Sequence, residues 1–540
     1  MRSLEGFQDG LLQPENLFTI CTNTIIRKLL APLVPVSTLD NSDLKTSCQW
    51  NIITQVCRHY LSSLPTNLNT AILDQAHAIF DNHFDVNKLL LVVLSTLGNS
   101  KTEVLKTPVY LYSNKPGRKR LLENLLDSDC VEVYKEAHLD MYNFYHRPDL
   151  TLSWRDDLED EFQLLRLSLS DDETLLVHQF LERSVNLTVL SIHTVATNQM
   201  LSIISKNCEN LTKLDVSFSK NVSDDGMAIL ATSIPLQSSL KILKAENTMI
   251  TQSGVFILLE HLDHLEYLES SAVEDYIYCM QNFFSKSNVL DAALVHNTNH
   301  YFKIKKLMLS LNKHYSDKLS IFYVLTMIFP NVSNLSLHSV HRNEFENIHS
   351  LSHLSQLNSL MLGSTPLQWL IPVFTKIGRN LTTFCYINYN APNIDINFSI
   401  ISELCENLEN VTISGHSLVH SDISENALKQ LKHVTINAHA HIPRAIWTHL
   451  LSSCINLISL SLTKCENLND KALNNVLNRN SVNNLEKFII KGCHKEDIEL
   501  SEHSVELLKR RFPEIKEIGD LFSWSLTPRD FSVTEIRRLM

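Results

Sequence analysis

The stretch Leu457–Leu473, LISLSLTKCENLNDKAL, decides how the rest of the chain is read. Leu457, Leu460 and Leu462 fall in the pattern L-x-x-L-x-L. Cys465 follows shortly, and Leu468, Asp470 and Leu473 come after it in a returning segment. Side chains alternate across an extended strand, so Leu460 and Leu462 share one face while Ser459, Ser461 and Thr463 share the other. The leucine face needs burial, and the small polar face is expected to form a bare, exposed strip. One unit of this size cannot bury its own apolar side, so it requires neighbours on both flanks.

Those neighbours are present. LTVLSI starts at Leu187, LTKLDV at Leu211, LEYLES at Leu265, IKKLML at Ile304, VSNLSL at Val332 and LNSLML at Leu357. LTTFCY follows at Leu381, LENVTI at Leu408, LKHVTI at Leu431 and LEKFII at Leu485, with weaker copies from Phe162, Leu240 and Ile515. Most starts are about 23 to 30 residues apart, and with Cys465 in the place of Asn or Cys the pattern resembles the cysteine-containing leucine-rich repeat. The longer step from Leu265 to Ile304 reads as one repeat carrying an insertion, SSAVEDYIYCMQNFFSKSNV. The expected fold is α/β: a leucine-rich-repeat solenoid, or horseshoe, with an N-terminal all-helical domain. The expected layout is a helical region over 1–100, a cap or degenerate early repeats over 101–160, repeats over 161–520 with an insertion near 270–303, and a C-terminal cap over 521–540.

A solenoid grows without a single central core, so 540 residues do not count domains here. The formal charge of −12 argues against nucleic acid as a main partner, since phosphate binding needs a basic surface. The start MRSLEGFQDG lacks the pattern of a secretory signal, and no apolar run reaches the length of a membrane span. Eleven scattered cysteines without a C-x-x-C pair favour reduced thiols, hence a cytoplasmic or nuclear protein. Sequons such as Asn186-Leu-Thr and Asn210-Leu-Thr arise because Asn often precedes the first Leu of a repeat; they are read as structure rather than as glycosylation sites.

The first hundred residues do not follow the repeat. In PENLFTICTNTIIRKLL, Leu17, Cys21 and Ile25 recur every four residues and so lie along one face of one helix. Their L-x-x-x-C-x-x-x-Φ spacing resembles the BC box, through which substrate receptors of cullin-RING ubiquitin ligases insert a helix into elongin C. Asn16 departs from the Ser, Thr, Ala or Pro more usual before that motif. The same ridge would also suit an amphipathic helix packed within its own domain. Further on, Leu64, Pro65 and Leu68 resemble the Φ-P-x-x-Φ cullin box, and equally the LP-x-x-L opening of an F-box that binds a Skp adaptor. BC-like helix, LP-like helix, then leucine-rich repeats is the order of the Zyg-like von Hippel–Lindau-box receptors. The resemblance implies elongin B/C and a cullin, or a Skp adaptor, as partners, together with a substrate protein.

Lys115, Arg118, Lys119 and Arg120 form a basic loop around Pro116-Gly117, read as a solvated turn. No phosphate-binding glycine loop, nucleophile elbow or H-E-x-x-H is present. His433, His439, His441 and His449 cluster in sequence but lack a Cys or carboxylate at ligand spacing, so they are expected to be surface and rim residues. The chain is therefore expected to be non-enzymatic, with no cofactor or metal. What it offers is the outward strand face, on which His193, Asp215, Tyr267, Lys306, His338 and His433 are the candidate substrate-binding residues.

Overall fold

The computed structural model describes residues 169–286, 302–311, 319–363, 365–387, 395–414, 417–419, 423–424, 427–437, 442–463, 465–478, 484–491, 502–515 and 517–520, with isolated residues at 104–106, 126, 136–138 and 482. They form two compact units that divide between Ile250 and Thr251. The N-terminal motifs at Leu17, Cys21 and Ile25 and at Leu64, Pro65 and Leu68 lie outside the described residues, as do the basic loop, the copy at Phe162 and the segment 521–540.

In the first unit the order is β1 (Val104–Lys106), β2 (Glu136–His138), α1 (Asp171–Arg183), β3 (Val189–Ser191), α2 (Asn198–Asn207), β4 (Lys213–Asp215), α3 (Asp224–Ala231), α4 (Ile234–Ser239) and β5 (Ile242–Lys244). The five strands pair in parallel, in chain order. Parallel neighbours need a crossover connection, usually a returning helix, and the sequence sets where each helix starts. Ser170 and Glu173 make a capping box at α1, and Thr197 accepts the Met200 N–H at α2. Leu187, Leu190 and Ile192, then Leu211, Leu214 and Val216, then Leu240, Leu243 and Ala245, are all fully buried between strands and helices. Each such leucine contributes roughly 1.5–3 kcal/mol of transfer free energy.

The second unit runs α5 (Gln252–His261), β6 (Tyr267–Glu269), α6 (Ala272–Lys286), β7 (Lys306–Leu311), α7 (Ile321–Ile328), β8 (Asn334–Val340), β9 (Ser359–Gly363), α8 (Ile371–Ile377), β10 (Thr383–Ile387), β11 (Asp395–Asn397), α9 (Phe398–Leu404), β12 (Asn410–Ser414), β13 (Ser417–Val419), β14 (His433–Asn437), α10 (Arg444–Ser453), β15 (Ser459–Thr463), α11 (Asp470–Leu477), β16 (Lys487–Lys491), α12 (Glu502–Arg511) and β17 (Glu517–Asp520). A 3-10 helix over Arg342–His353 takes the place of the α-helix between β8 and β9. The long strands pair in parallel in chain order, while β11 and β13 pair separately. The weak copies at Leu240 and Ile515 prove to be β5 and β17. The step from β6 to β7 holds less extra chain than the sequence suggests. Its first part is α6, a returning helix that buries Val273, Tyr276, Ile277 and Phe284, and residues 287–301 lie outside the described set.

Two devices keep successive repeats in register. Helices α2, α9 and α10 each end in a turn whose carbonyl accepts the N–H of the next repeat's first aliphatic residue: Leu211 to Cys208 at 3.2 Å, Leu408 to Cys405 at 3.4 Å, Leu457 to Cys454 at 3.2 Å. Cys208, Cys405 and Cys454 are buried free thiols at these helix ends. The asparagine just before the first aliphatic residue then reaches back to the preceding repeat. The amides of Asn331, Asn380, Asn407 and Asn456 donate to the carbonyls of Phe302, Ser355, Arg379 and Lys429 at 2.8–3.3 Å. These four asparagines thus tie each repeat to the one before it.

Candidate functional site

The strand residues that point away from the helices form the candidate site. In the first unit, register places Val189, Lys213 and Ile242 in one row and Ser191, Asp215 and Lys244 in the next. His193 continues past β3 and sets its Nε2 at 3.0 Å from Asp215 Oδ2. Ser217 donates to Asp215 Oδ1 twice, from its backbone N–H at 3.2 Å and its hydroxyl at 2.7 Å. Burial alone would raise the Asp215 pKa. The hydrogen bond and charge of His193, then Ser217 and Lys244, outweigh it and hold the carboxyl below its ordinary value. Asp215 is therefore ionised at neutral pH and fixes Nε2 of His193 as a donor. The chain turns immediately beyond, with Thr194, Phe218 and Asn247 in left-handed conformation at φ 66°, 65° and 52°. The Thr194 N–H donates to the Ser217 carbonyl at 3.1 Å and the Phe218 N–H to that of Glu246 at 2.6 Å. These bonds hold a backbone that β-branched and aromatic residues rarely adopt.

In the second unit, Tyr267 pairs with Lys306 across β6 and β7, and the Lys306 ammonium sits 5.2 Å from the Tyr267 ring centroid. The Tyr267 hydroxyl donates to Glu269 Oε2 at 2.8 Å. Both Tyr267 and Glu269 are buried. Between β7 and β8 the register slips so that His338 is the extra residue of a bulge, with its Nε2 3.4 Å from Ser336 Oγ. The bulge brings the His338 carbonyl oxygen so close to Gly363 that a Cβ there would collide with it. His433 lies in one row with Asn410, Ser459 and Lys487. Its pKa is lowered by burial and by Lys432, against the opposing pull of Glu486 and Glu409.

The structure thus brings His193 to Asp215 and Tyr267 to Lys306, and places His338 and His433 apart on β8 and β14. The outward strip is in register, but it is not bare, which corrects the sequence expectation. Ser461 and Thr463 are 6% and 7% exposed, and Met361, Cys385 and Ile387 form a buried apolar cluster on β9 and β10. Small side chains on closely spaced strands leave little room for solvent. His449 is a second correction: it is buried on α10, with Nε2 3.2 Å from the Ala427 carbonyl, and is no rim residue. His439 and His441 lie outside the described residues. The sequence reading did not mark Lys244, because the weak copy at Leu240 hid its strand position.

The buried thiols of Cys208, Cys385, Cys405 and Cys454 are pushed up to about 12 by desolvation and are protonated, hence unreactive, at neutral pH. Among the described residues no group of three His, Cys, Asp or Glu side chains could hold a metal ion, and no helix is long and apolar enough to cross a membrane.

These features define an α/β repeat protein with an in-register parallel strand face in each unit. No family model matches the chain, and no curated protein matches it in sequence. Among solved structures it is similar to that of the Rad7 and Elc1 complex in yeast, with 13% identity and a TM-score of 0.34 over 88% of this chain and 94% of that one. It is also similar to that of the TLR13–ssRNA13 complex, with 15% identity and a TM-score of 0.35 over 69% of this chain and 53% of that one.

Proposed function

We propose that the protein is the substrate-recognition subunit of a cullin-RING ubiquitin ligase. In this reading the repeats are a leucine-rich solenoid whose strand face holds a substrate protein. The helix bearing Leu17, Cys21 and Ile25 docks elongin C, and Leu64, Pro65 and Leu68 meet the cullin, or a Skp adaptor in its place. The protein does no chemistry. It raises the effective concentration of a substrate lysine near the recruited ubiquitin-loaded enzyme.

The observation that carries the binding half is the row structure of the strand face. Polar side chains recur there in register, locked in pairs such as His193–Asp215, and the thiols nearby are inert. The adaptor half rests on the spacing and order of the N-terminal motifs. Buried, unpaired cysteines support residence in a reducing compartment, cytoplasm or nucleus.

Co-expression with elongin B and C, and separately with a Skp adaptor, followed by size-exclusion chromatography, tests the proposal. One of the two adaptors is expected to elute with the full chain. Elution of the chain alone in both cases would instead make it a leucine-rich scaffold that acts by binding without a ligase.

A further inference from the structure

One repeat junction is built differently from the others. Where Asn331, Asn380, Asn407 and Asn456 bridge back, the acceptor is the residue two before the preceding repeat's first aliphatic residue: Phe302, Ser355, Arg379 and Lys429. By that count Asn210, just before Leu211, would reach the carbonyl of Val185, two before Leu187. That bond is missing, and the Asn210 side chain makes no hydrogen bond among the described residues. Between the two turns lies a solvent-facing hollow of about 380 Å³, lined by Val185, Asn186, Lys206, Asn207, Glu209 and Asn210.

The charges of this lining stand unpaired. Lys206 and Glu209 are exposed, and neither makes an ion pair or side-chain hydrogen bond among the described residues. At other junctions such charges pair across repeats, as in Lys305–Glu266, Arg379–Glu406 and Lys432–Glu409. Both Lys206 and Glu209 sit at the C-terminal end of α2, whose last carbonyls favour a cation. A matching ligand carries two opposite charges close together: a carboxylate for Lys206, and an ammonium for Glu209 and the helix end. The rest of it would meet the Asn210 amide and the exposed Val185 side chain. The volume is at the lower end of the range for small-molecule pockets, which suits a ligand of amino-acid size.

We propose that this hollow binds a free α-amino acid with an aliphatic side chain, its carboxylate on Lys206, its ammonium on Glu209 and its side chain against Val185. None of these residues belongs to the strand face, so the site is independent of the substrate reading above.

The test uses the full chain and three probes of one shape, read by saturation-transfer NMR titration: L-leucine, 4-methylpentanoate, which lacks the ammonium, and isopentylamine, which lacks the carboxylate. Leucine is expected to bind in about the millimolar range, since exposed charge contacts must offset the ligand's lost freedom. Each single-charge probe is expected to bind about fivefold more weakly, the upper end for one exposed charge contact. Lys206→Gln and Glu209→Gln are each expected to weaken leucine by a similar factor, with thermal melts to check that both variants are folded. Lys220→Gln, exposed beyond β4, is expected to leave leucine binding unchanged. Absence of saturation transfer to leucine overturns the proposal. So does equal binding of the three probes, an affinity that neither Lys206→Gln nor Glu209→Gln alters, or an equal loss in Lys220→Gln.

Discussion

Leu460 and Ser461 are adjacent, yet they face opposite layers. Leu460 is fully buried against the helices, and truncation to Ala is expected to cost about 2–5 kcal/mol in denaturant melts. Ser461 points to the strand face, where its small side chain is shielded by its neighbours, and Ser461→Ala, which removes one hydroxyl, is expected to cost no more than about 1 kcal/mol. Equal losses would mean that the two layers have been exchanged. His449 gives a pH-dependent prediction at the same scale. Burial lowers its pKa below 6.5 despite the hydrogen bond to the Ala427 carbonyl, so the folded state prefers the neutral ring. Its contribution is complete above pH 6.5 and is lost as the pH falls from there through the folded pKa. The melting temperature is expected to drop over that window, and less so in His449→Gln. Identical profiles would show that another group controls the acid side.

The strand and the turn are the elements that carry the repeat. Because the amides of Asn407 and Asn456 each bridge to the preceding repeat, replacing either by Ala is expected to cost about 1 kcal/mol, the usual net worth of one hydrogen bond. Urea melts of the single and double variants check this, and separation along the chain predicts near-additive losses. Gly363→Ala is expected to destabilise by more than its helix or strand propensity would suggest, because the bulge at His338 leaves no space for a methyl group. A melt like that of the unmutated chain would argue that β8 can shift its bulge. Sequence made the strands legible wherever two or three leucines held the period, as at Leu211, Leu408 and Leu457. It did not show the bulge, since a one-residue slip at His338 depends on how β7 and β8 pair and leaves no mark in the local pattern. Nor did it show that α6 takes up part of the apparent insertion, because its buried Tyr276, Tyr278 and Phe284 are not the aliphatic residues of the other copies.

At the scale of the molecule, the proposed function needs two binding elements, a strand face for the substrate and an N-terminal helix for the adaptor. The pairing of His193 with Asp215 could not be read from the chain, since each residue is only one of several polar outward positions until register sets them side by side. The proposed docking motif, by contrast, is legible only in sequence: Leu17, Cys21 and Ile25 recur at four-residue spacing outside the described residues. Its test follows from what an interface residue is. If Leu17 and Cys21 belong to an adaptor-docking ridge, bulky charged residues there remove it without disturbing a core, whereas in a helix packed within its own domain they would bury unpaired charge at a cost of several kcal/mol. The decisive measurement is capture of elongin B and C by the full chain and by the Leu17→Glu, Cys21→Arg double variant, beside a thermal melt of each. The account predicts capture by the unmutated chain, loss of capture in the variant, and melts that superimpose. A variant that melts early, together with an unmutated chain that captures no adaptor, would contradict it.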